Sequence, residues 1–378
     1  MSTWAEERPS EDFYRVLAPD GTLERKPPEV DEDTLLRFYE TFRLTRTLEE
    51  RVQRLQRRGE LSIQARSKGE EATAIGSAAA LGADDWIFPS YRQNAALLYW
   101  DVPIGRALAS LMGAAPETID EHLPVDPDAA PPVNITPVYV PLAVNVTNAV
   151  GSAMADVYAG SDQVSLSYIG DGSTSQGDFH EALNFAGVFD APAVTVVQNN
   201  QWAISVPAHR QTASETFAQK GAAHGVPYER VDGNDVLAVY EKSREAVERA
   251  RNGDGPTLIE CVTYRLVEHN TADEPSVYRN EEQREYWEQR DPLDRFDTYL
   301  RERGVLDDAV EQEIEEAVTE RVDAGIAAAQ SVPATEPQRM FDHHLHAETW
   351  TERHQRAELA AEQDGRNPFT DFTGEGLE

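Results

Sequence analysis

Apolar residues recur along this chain with two different periods. Leu35, Phe38, Phe42, Leu48, Val52 and Leu55 fall at helical spacing, which predicts a long amphipathic helix ending near Gly59. Residues 70–81 also read as a helix, but one built of small residues: Ala72, Ala74, Gly76, Ala78, Ala79 and Ala80. Such a face lets another backbone approach closely, so the segment is expected deep in the protein or at a subunit contact. Continuous apolar runs over 164–169, 193–197, 228–231 and 257–262 read as buried strands. Helices are expected over 178–189 and 236–251, and a further small-residue helix over 145–158 leads into the first of these strands. Strand–helix–strand units of this length imply parallel strands with right-handed crossovers. The fold class is therefore α/β, an open and mostly parallel sheet flanked by helices.

The flanks differ from this pattern. Residues 1–30 are polar and carry Pro9, Pro19, Pro27 and Pro28, so they read as an N-terminal arm. Residues 31–330 form the main domain. Within it, residues 116–141, with Pro124, Pro127, Pro131, Pro132 and Pro137, read as loop, and residues 292–329 as charged helix. Residues 331–378 form a less regular C-terminal extension whose end, 364–378, is expected to be loose.

Composition narrows the function classes. At 378 residues and 40% hydrophobic, the chain has ample length for a core. No apolar run is long enough for a transmembrane helix, and the polar, acidic start is unlike a signal peptide, so a cytoplasmic location is expected. The net charge is −34, its acids are scattered rather than gathered in a tail, and 30 of the 34 basic residues are arginine. That surface reads as adapted to concentrated salt, where screening cancels self-repulsion. Nucleic acid binding is excluded on charge. The single cysteine, Cys261, lies in a predicted strand and reads as a structural thiol.

The chemistry concentrates where strands end. Gly170-Asp171-Gly172 follows one strand, and after 26 more residues Asn199-Asn200 follows the next. Open parallel sheets bind ligands beyond the carboxyl ends of their strands. A carboxylate and an amide there suit a magnesium ion holding a diphosphate. Gly170, Gly172 and Gly177 let backbone amides approach the anion, and the helix that follows adds its positive end. A tight Asp-Gly turn with a capping asparagine is the plainer alternative. Ser90-Tyr91-Arg92, after the apolar stretch 86–88, offers an arginine and a phenol to phosphate oxygens. A polar segment, Tyr264-Arg265 through Glu268-His269-Asn270-Thr271-Ala272-Asp273 to Tyr278-Arg279, reads as a loop over the site. Its His269 could donate to an oxyanion and shuttle protons near neutral pH. Asp178 and Glu181 share a helix face, blandly as caps. His343, His344 and His346 beside Asp342 lack the partners of a metal site and read as a solvated helix end.

The runs Gly170-Asp171-Gly172-Ser173-Thr174-Ser175-Gln176-Gly177-Asp178-Phe179-His180-Glu181 and Gln198-Asn199-Asn200-Gln201-Trp202-Ala203-Ile204-Ser205 resemble the alpha subunit of the decarboxylating component of 2-oxo acid dehydrogenase complexes. The resemblance is to the pyruvate and branched-chain types and covers residues 35–330. It implies a thiamine diphosphate-binding fold in an α2β2 tetramer with a beta subunit. It further implies oxidative decarboxylation of a small 2-oxo acid, with acyl transfer to the lipoamide of an acyltransferase partner and reoxidation by dihydrolipoyl dehydrogenase. Asp171, Asn200 and the backbone oxygen of Trp202 would hold Mg2+. Gly170, Gly172, Ser173, Gln198, Tyr91 and Arg92 would line the diphosphate. Val140 and Leu142 match the positions that prop the cofactor in its bent form. His269 would assist catalysis, Arg265 would anchor its loop, and Asp178 and Glu181 would line a proton passage between cofactors.

The carboxylate that activates the ring is expected from the beta chain, so this chain alone should be inactive. Asn270, Thr271 and Ala272 stand where some relatives carry a regulatory serine, and Tyr139, Val144 and Asn145 replace the polar set of a potassium site. An acetoin dehydrogenase alpha subunit, or a scaffold subunit without activity, are the alternatives left open.

Overall fold

The computed structural model describes residues 9–126, 131, 133–342 and 344–362. In chain order the elements are α1 (Glu32–Arg57), α2 (Glu71–Ala78), β1 (Trp86–Phe88), α3 (Asn94–Tyr99), α4 (Ile104–Leu111), α5 (Pro116–His122), β2 (Asn134–Ile135) and α6 (Val144–Ala159). Then come β3 (Ser165–Gly170), α7 (Gly177–Val188), β4 (Ala193–Asn199), the hairpin β5 (Trp202–Ala203) and β6 (Val206–Pro207), α8 (Gln219–Ala222), β7 (Tyr228–Asp232), α9 (Val236–Arg251) and β8 (Thr257–Val262). The helices α10 (Glu281–Glu288), α11 (Pro292–Glu302), α12 (Asp308–Ser331) and α13 (Trp350–Glu362) follow.

Six strands form one sheet in the order β2-β1-β3-β4-β8-β7, and every pairing is parallel. The residues of β3, β4 and β8 are buried on both faces, save Gly170, which explains their unbroken apolar runs. From β1 the chain moves outward to β2, then returns to β3 and proceeds to β4 on the other side. That reversal opens a crevice beyond the carboxyl ends of β1 and β3.

Helix α1 starts at Asp31, whose carboxylate caps the Thr34 N–H at 2.7 Å, and stops before Gly59 at φ +76°. Its apolar stripe buries Leu35, Phe38, Phe42 and Leu55. All eight residues of α2 are buried, so the first of the two expected positions is the observed one. A Cβ on Gly76 would lie 2.7 Å from the Val236 carbonyl, so the small face is what lets α9 pack against α2. Cys261 is buried in β8.

Three sequence expectations change. Residues 116–141 are not loop throughout. Pro116 opens α5, where proline's missing N–H costs nothing, and Ile119 anchors the helix in the core. Asn134 and Ile135 pair with β1 as an edge strand. Pro127 and Pro132 lie outside the described residues. The helical stretch from Pro292 is two helices, broken at Gly304 with φ +71°. The C-terminal extension contains the regular helix α13, where exposed His344 pairs with Glu352 at 3.1 Å. His343 and residues 364–378 lie outside the described residues.

The arm is built in. Tyr14 bridges Val231 in parallel, Val16 and Leu17 are buried, and both of their N–H groups donate to Asp235 Oδ2, at 2.7 and 2.6 Å. Buried Arg295 joins this knot, donating to Asp232 at 3.0 Å and to the Leu17 carbonyl. No helix among the described residues is long and apolar enough to cross a membrane.

Candidate active site

Four adjacent strands end at one place. The residues beyond β1 are Tyr91 and Arg92, beyond β3 Asp171, beyond β4 Asn200 and beyond β8 Arg265. The register Gly170↔Gln198 brings Asp171 level with Asn199, one residue before Asn200, and the ladder continues past β8 through Arg265 N–H to the Asn200 carbonyl at 3.3 Å.

Asp171 is 1% exposed, and its Oδ2 accepts from Gln211 Nε2 at 3.1 Å. Burial pushes its carboxyl up to about 7. A carboxylate buried with so little compensation is a fit for a cation, which would remove the burial cost. Its companions are the Asn200 amide and the Trp202 carbonyl, so the donors are all hard oxygens of the kind magnesium takes. The Trp202 carbonyl currently receives only a long contact from Arg265 Nη1, at 3.5 Å. No cluster of three His, Cys, Asp or Glu suited to a metal occurs among the described residues. A site for Mg2+ here therefore depends on the amide and the carbonyl.

Gly172 and Ser173 enter a 3-10 turn, Gly172–Ser175. A Cβ on Gly172 would collide with the Ala203 methyl of the β5–β6 hairpin, so glycine is required by close approach. The same test leaves Gly170 and Gly177 without a steric requirement. Thr174, whose hydroxyl donates to the Asp171 carbonyl at 2.6 Å, receives Lys220 Nζ at 2.7 Å.

Arg92 is 5% exposed and largely committed. Its Nη1 donates to the Arg66 carbonyl at 2.6 Å, and its Nη2 to the His269 carbonyl at 3.0 Å and ring Nδ1 at 3.2 Å. The Tyr91 ring meets His269 edge-on, with centroids 6.1 Å apart. Arg265 is fully buried and pins the hairpin and the loop together, donating to the Ile204 carbonyl at 2.7 Å and to the Tyr278 hydroxyl at 2.9 Å. The loop is also tied at Glu268, which pairs with Arg66 at 2.5 Å and accepts from Gln53 at 3.0 Å. Asp273 caps the His269 N–H at 2.7 Å.

His269 differs from expectation. Its Nδ1 faces two guanidiniums, Arg92 Nη2 at 3.2 Å and Arg265 Nη1 at 3.4 Å. Burial first, then these charges, push its pKa down to about 4. A guanidinium only donates, so Nδ1 is the acceptor and the ring carries its proton on Nε2. Near pH 7 the ring is neutral. It can donate one hydrogen bond, but it does not take up a proton as an isolated histidine would.

The remaining expectations fall at the rim. Val140 and Leu142 are 67% and 43% exposed, joined to the site by the Ser90–Tyr139 bridge. Asp178 and Glu181 are exposed near the start of α7. Sequence reading missed Glu70, Gln93, Arg66 and Gln211. Glu70 is wholly buried and accepts from Gln198 Nε2 at 2.5 Å and from Asn200 Nδ2 at 2.8 Å. Its signal was a carboxylate pair set directly before a helix of small apolar residues, which must be buried with that helix.

The model of the dehydrogenase E1 component family matches residues 39–338. The chain belongs to this family, as an alpha-type chain of the thiamine diphosphate-dependent 2-oxo acid dehydrogenase E1 class. It is 44% identical over 310 residues to the 3-methyl-2-oxobutanoate dehydrogenase subunit alpha of Mycobacterium tuberculosis, covering 81% of each chain. It is also 39% identical over 322 residues to the pyruvate dehydrogenase E1 component subunit alpha of Acholeplasma laidlawii, covering 85% of this chain and 91% of the relative. The corresponding subunit of Bacillus subtilis is 38% identical over 324 residues, 85% of each chain.

Proposed function

We propose that this chain, with a beta subunit, catalyses oxidative decarboxylation of pyruvate or a branched-chain 2-oxo acid and passes the acyl group to a lipoyl acyltransferase, which a dihydrolipoyl dehydrogenase reoxidises. The observation that carries this is the meeting of Arg92, Asp171, Asn200, Arg265 and His269 at four adjacent strand ends in a chain of this family. The assembly is an α2β2 tetramer in the cytoplasm. Exposed Tyr158 on α6, Phe185 and Val188 on α7, and Phe189 just past its end supply apolar surface for partner chains.

Bound thiamine diphosphate supplies the electron sink for loss of carbon dioxide. The protein's part is binding, orientation and hydrogen bonding. Asp171, Asn200 and the Trp202 carbonyl hold Mg2+ against the diphosphate. Gly170, Gly172 and Ser173 bring backbone to it, Gln198 holds its edge, and Tyr91 and the remaining Nη1 proton of Arg92 reach its oxygens. Val140 and Leu142 support the cofactor from the rim. Arg265 holds the loop, and the Nε2 proton is the hydrogen bond that His269 would offer to negative charge developing on the substrate. Asp178 and Glu181 line the proton passage.

The test is co-production with a beta subunit and measurement of carbon dioxide release from pyruvate and 3-methyl-2-oxobutanoate, with acetaldehyde release measured for acetoin. Turnover of a 2-oxo acid is expected; a formed, cofactor-loaded tetramer that turns over none would overturn the assignment. Asp171→Ala is expected to abolish magnesium-dependent cofactor binding on the tetramer while leaving the fold. Unchanged affinity by titration calorimetry would remove the metal assignment.

A further inference from the structure

A directed chain of side-chain hydrogen bonds runs beneath the site. The Ser90 N–H and hydroxyl donate to Gln93 Oε1 at 2.9 and 2.8 Å. Gln93 Nε2 donates to Gln198 Oε1 at 2.9 Å, and Gln198 Nε2 donates to Glu70 Oε2 at 2.5 Å. From the other side, the Trp202 N–H donates to Asn200 Oδ1 at 3.2 Å, and Asn200 Nδ2 donates to the same Glu70 Oε2 at 2.8 Å. Glu70, Gln93, Gln198 and Asn200 are all nearly or wholly buried, so water does not substitute for these partners.

An amide has an oxygen end and a nitrogen end of nearly equal shape, and only its partners decide which faces where. Two N–H donors converge on the single oxygen Glu70 Oε2, so that oxygen is an acceptor. It therefore draws the nitrogen ends of Asn200 and Gln198 inward and leaves the Asn200 oxygen on the Trp202 side, away from Glu70. The other carboxylate oxygen, Oε1, has no hydrogen-bond partner and lies 3.8 Å from Arg92 Nε. The backbone reinforces the placement. Gly69, at φ +95°, lies where a Cβ would be 2.5 Å from the Tyr264 carbonyl, so the residue before Glu70 is held by close approach to the segment past β8.

We infer that Glu70 is a positioning residue for the cofactor site, fixing the amide faces of Asn200 and Gln198 so that the Asn200 oxygen is turned toward the bound cation. This deepens the reading of Asn200 as a magnesium ligand and rests on it. Glu70 touches neither cation nor cofactor; it acts through the two amides.

Titration calorimetry of magnesium and thiamine diphosphate on the α2β2 tetramer tests this with two substitutions. Glu70→Gln keeps one acceptor oxygen for both amides, and affinity is expected within about threefold of wild type. Glu70→Met removes the acceptor at similar length, and affinity is expected to fall at least tenfold. Equal losses in the two variants would show that Glu70 acts by charge alone and overturn the positioning role, as would unchanged affinity in Glu70→Met. If Glu70→Met does not assemble, Glu70→Asp serves instead. Its carboxylate is too short to reach both amides and is expected to lose at least tenfold; wild-type affinity there overturns the inference. Asp171→Ala, measured alongside, separates the two readings. If it binds magnesium normally, the cation site is wrong; if it does not and Glu70→Met does, only the role of Glu70 is wrong.

Discussion

At His269 a ring with an ordinary pKa near neutrality is surrounded by guanidinium groups on two sides and moved to about 4. A histidine whose folded pKa lies below its unfolded one contributes stability that is present above the unfolded value and lost as pH falls toward the folded one. Wild type is therefore expected to lose thermal stability relative to His269→Gln as pH drops from 7 to 4. A Tm difference that is flat, or that moves the other way, would contradict the neutral ring. Of the residues gathered at these strand ends, Asp171, Asn200, Arg265 and His269 were legible because each stands just past an apolar strand or in its following loop. Glu70, Gln93 and Gln211 were not, because the groups they serve lie far along the chain. Nothing local distinguishes a buried glutamate holding two amides from a solvated one.

Among the elements, the parallel core strands and their crossover helices announced themselves by period and by unbroken apolar runs. The misread segments were those where tertiary contact overrode local composition. Proline in α5 opens a helix because Ile119 has a core to enter, and β2 exists because β1 offers it an edge. The arm belongs at this scale too. Asp235 caps α9 by accepting from the Leu237 and Ala238 N–H groups, at 3.1 and 3.2 Å, and receives both arm N–H groups on its other oxygen. Asp235→Ala is expected to destabilise the chain by about 2–4 kcal/mol, from a lost cap and two orphaned buried donors. Urea unfolding of the chain measures this, and a change under about 0.5 kcal/mol would show that the arm is not held there.

For the whole molecule, a net charge of −34 sets the balance with solvent. Ion pairs such as Arg301 with Asp297, Asp308 and Glu311 neutralise part of it locally, but acids outnumber bases two to one, 68 to 34. The Debye length is about 10 Å at 0.1 M salt and about 3 Å at 1 M, so repulsion among surface carboxylates is largely screened only at the higher concentration. Tm is expected to rise between these salt levels, and a Tm indifferent to salt would refute salt adaptation.

The sequence alone determined the sheet's inner strands, the strand-end Asp171 and Asn200, and the membership of the chain in its family, because each depends on residues close together along the chain. Only the tertiary structure decided the protonation state of His269, the commitment of Arg92, and the burial of Glu70 under two amides. Those depend on which charges and donors are brought within a few ångströms from distant segments, and a carboxylate, an amide or an imidazole takes its chemistry from those neighbours.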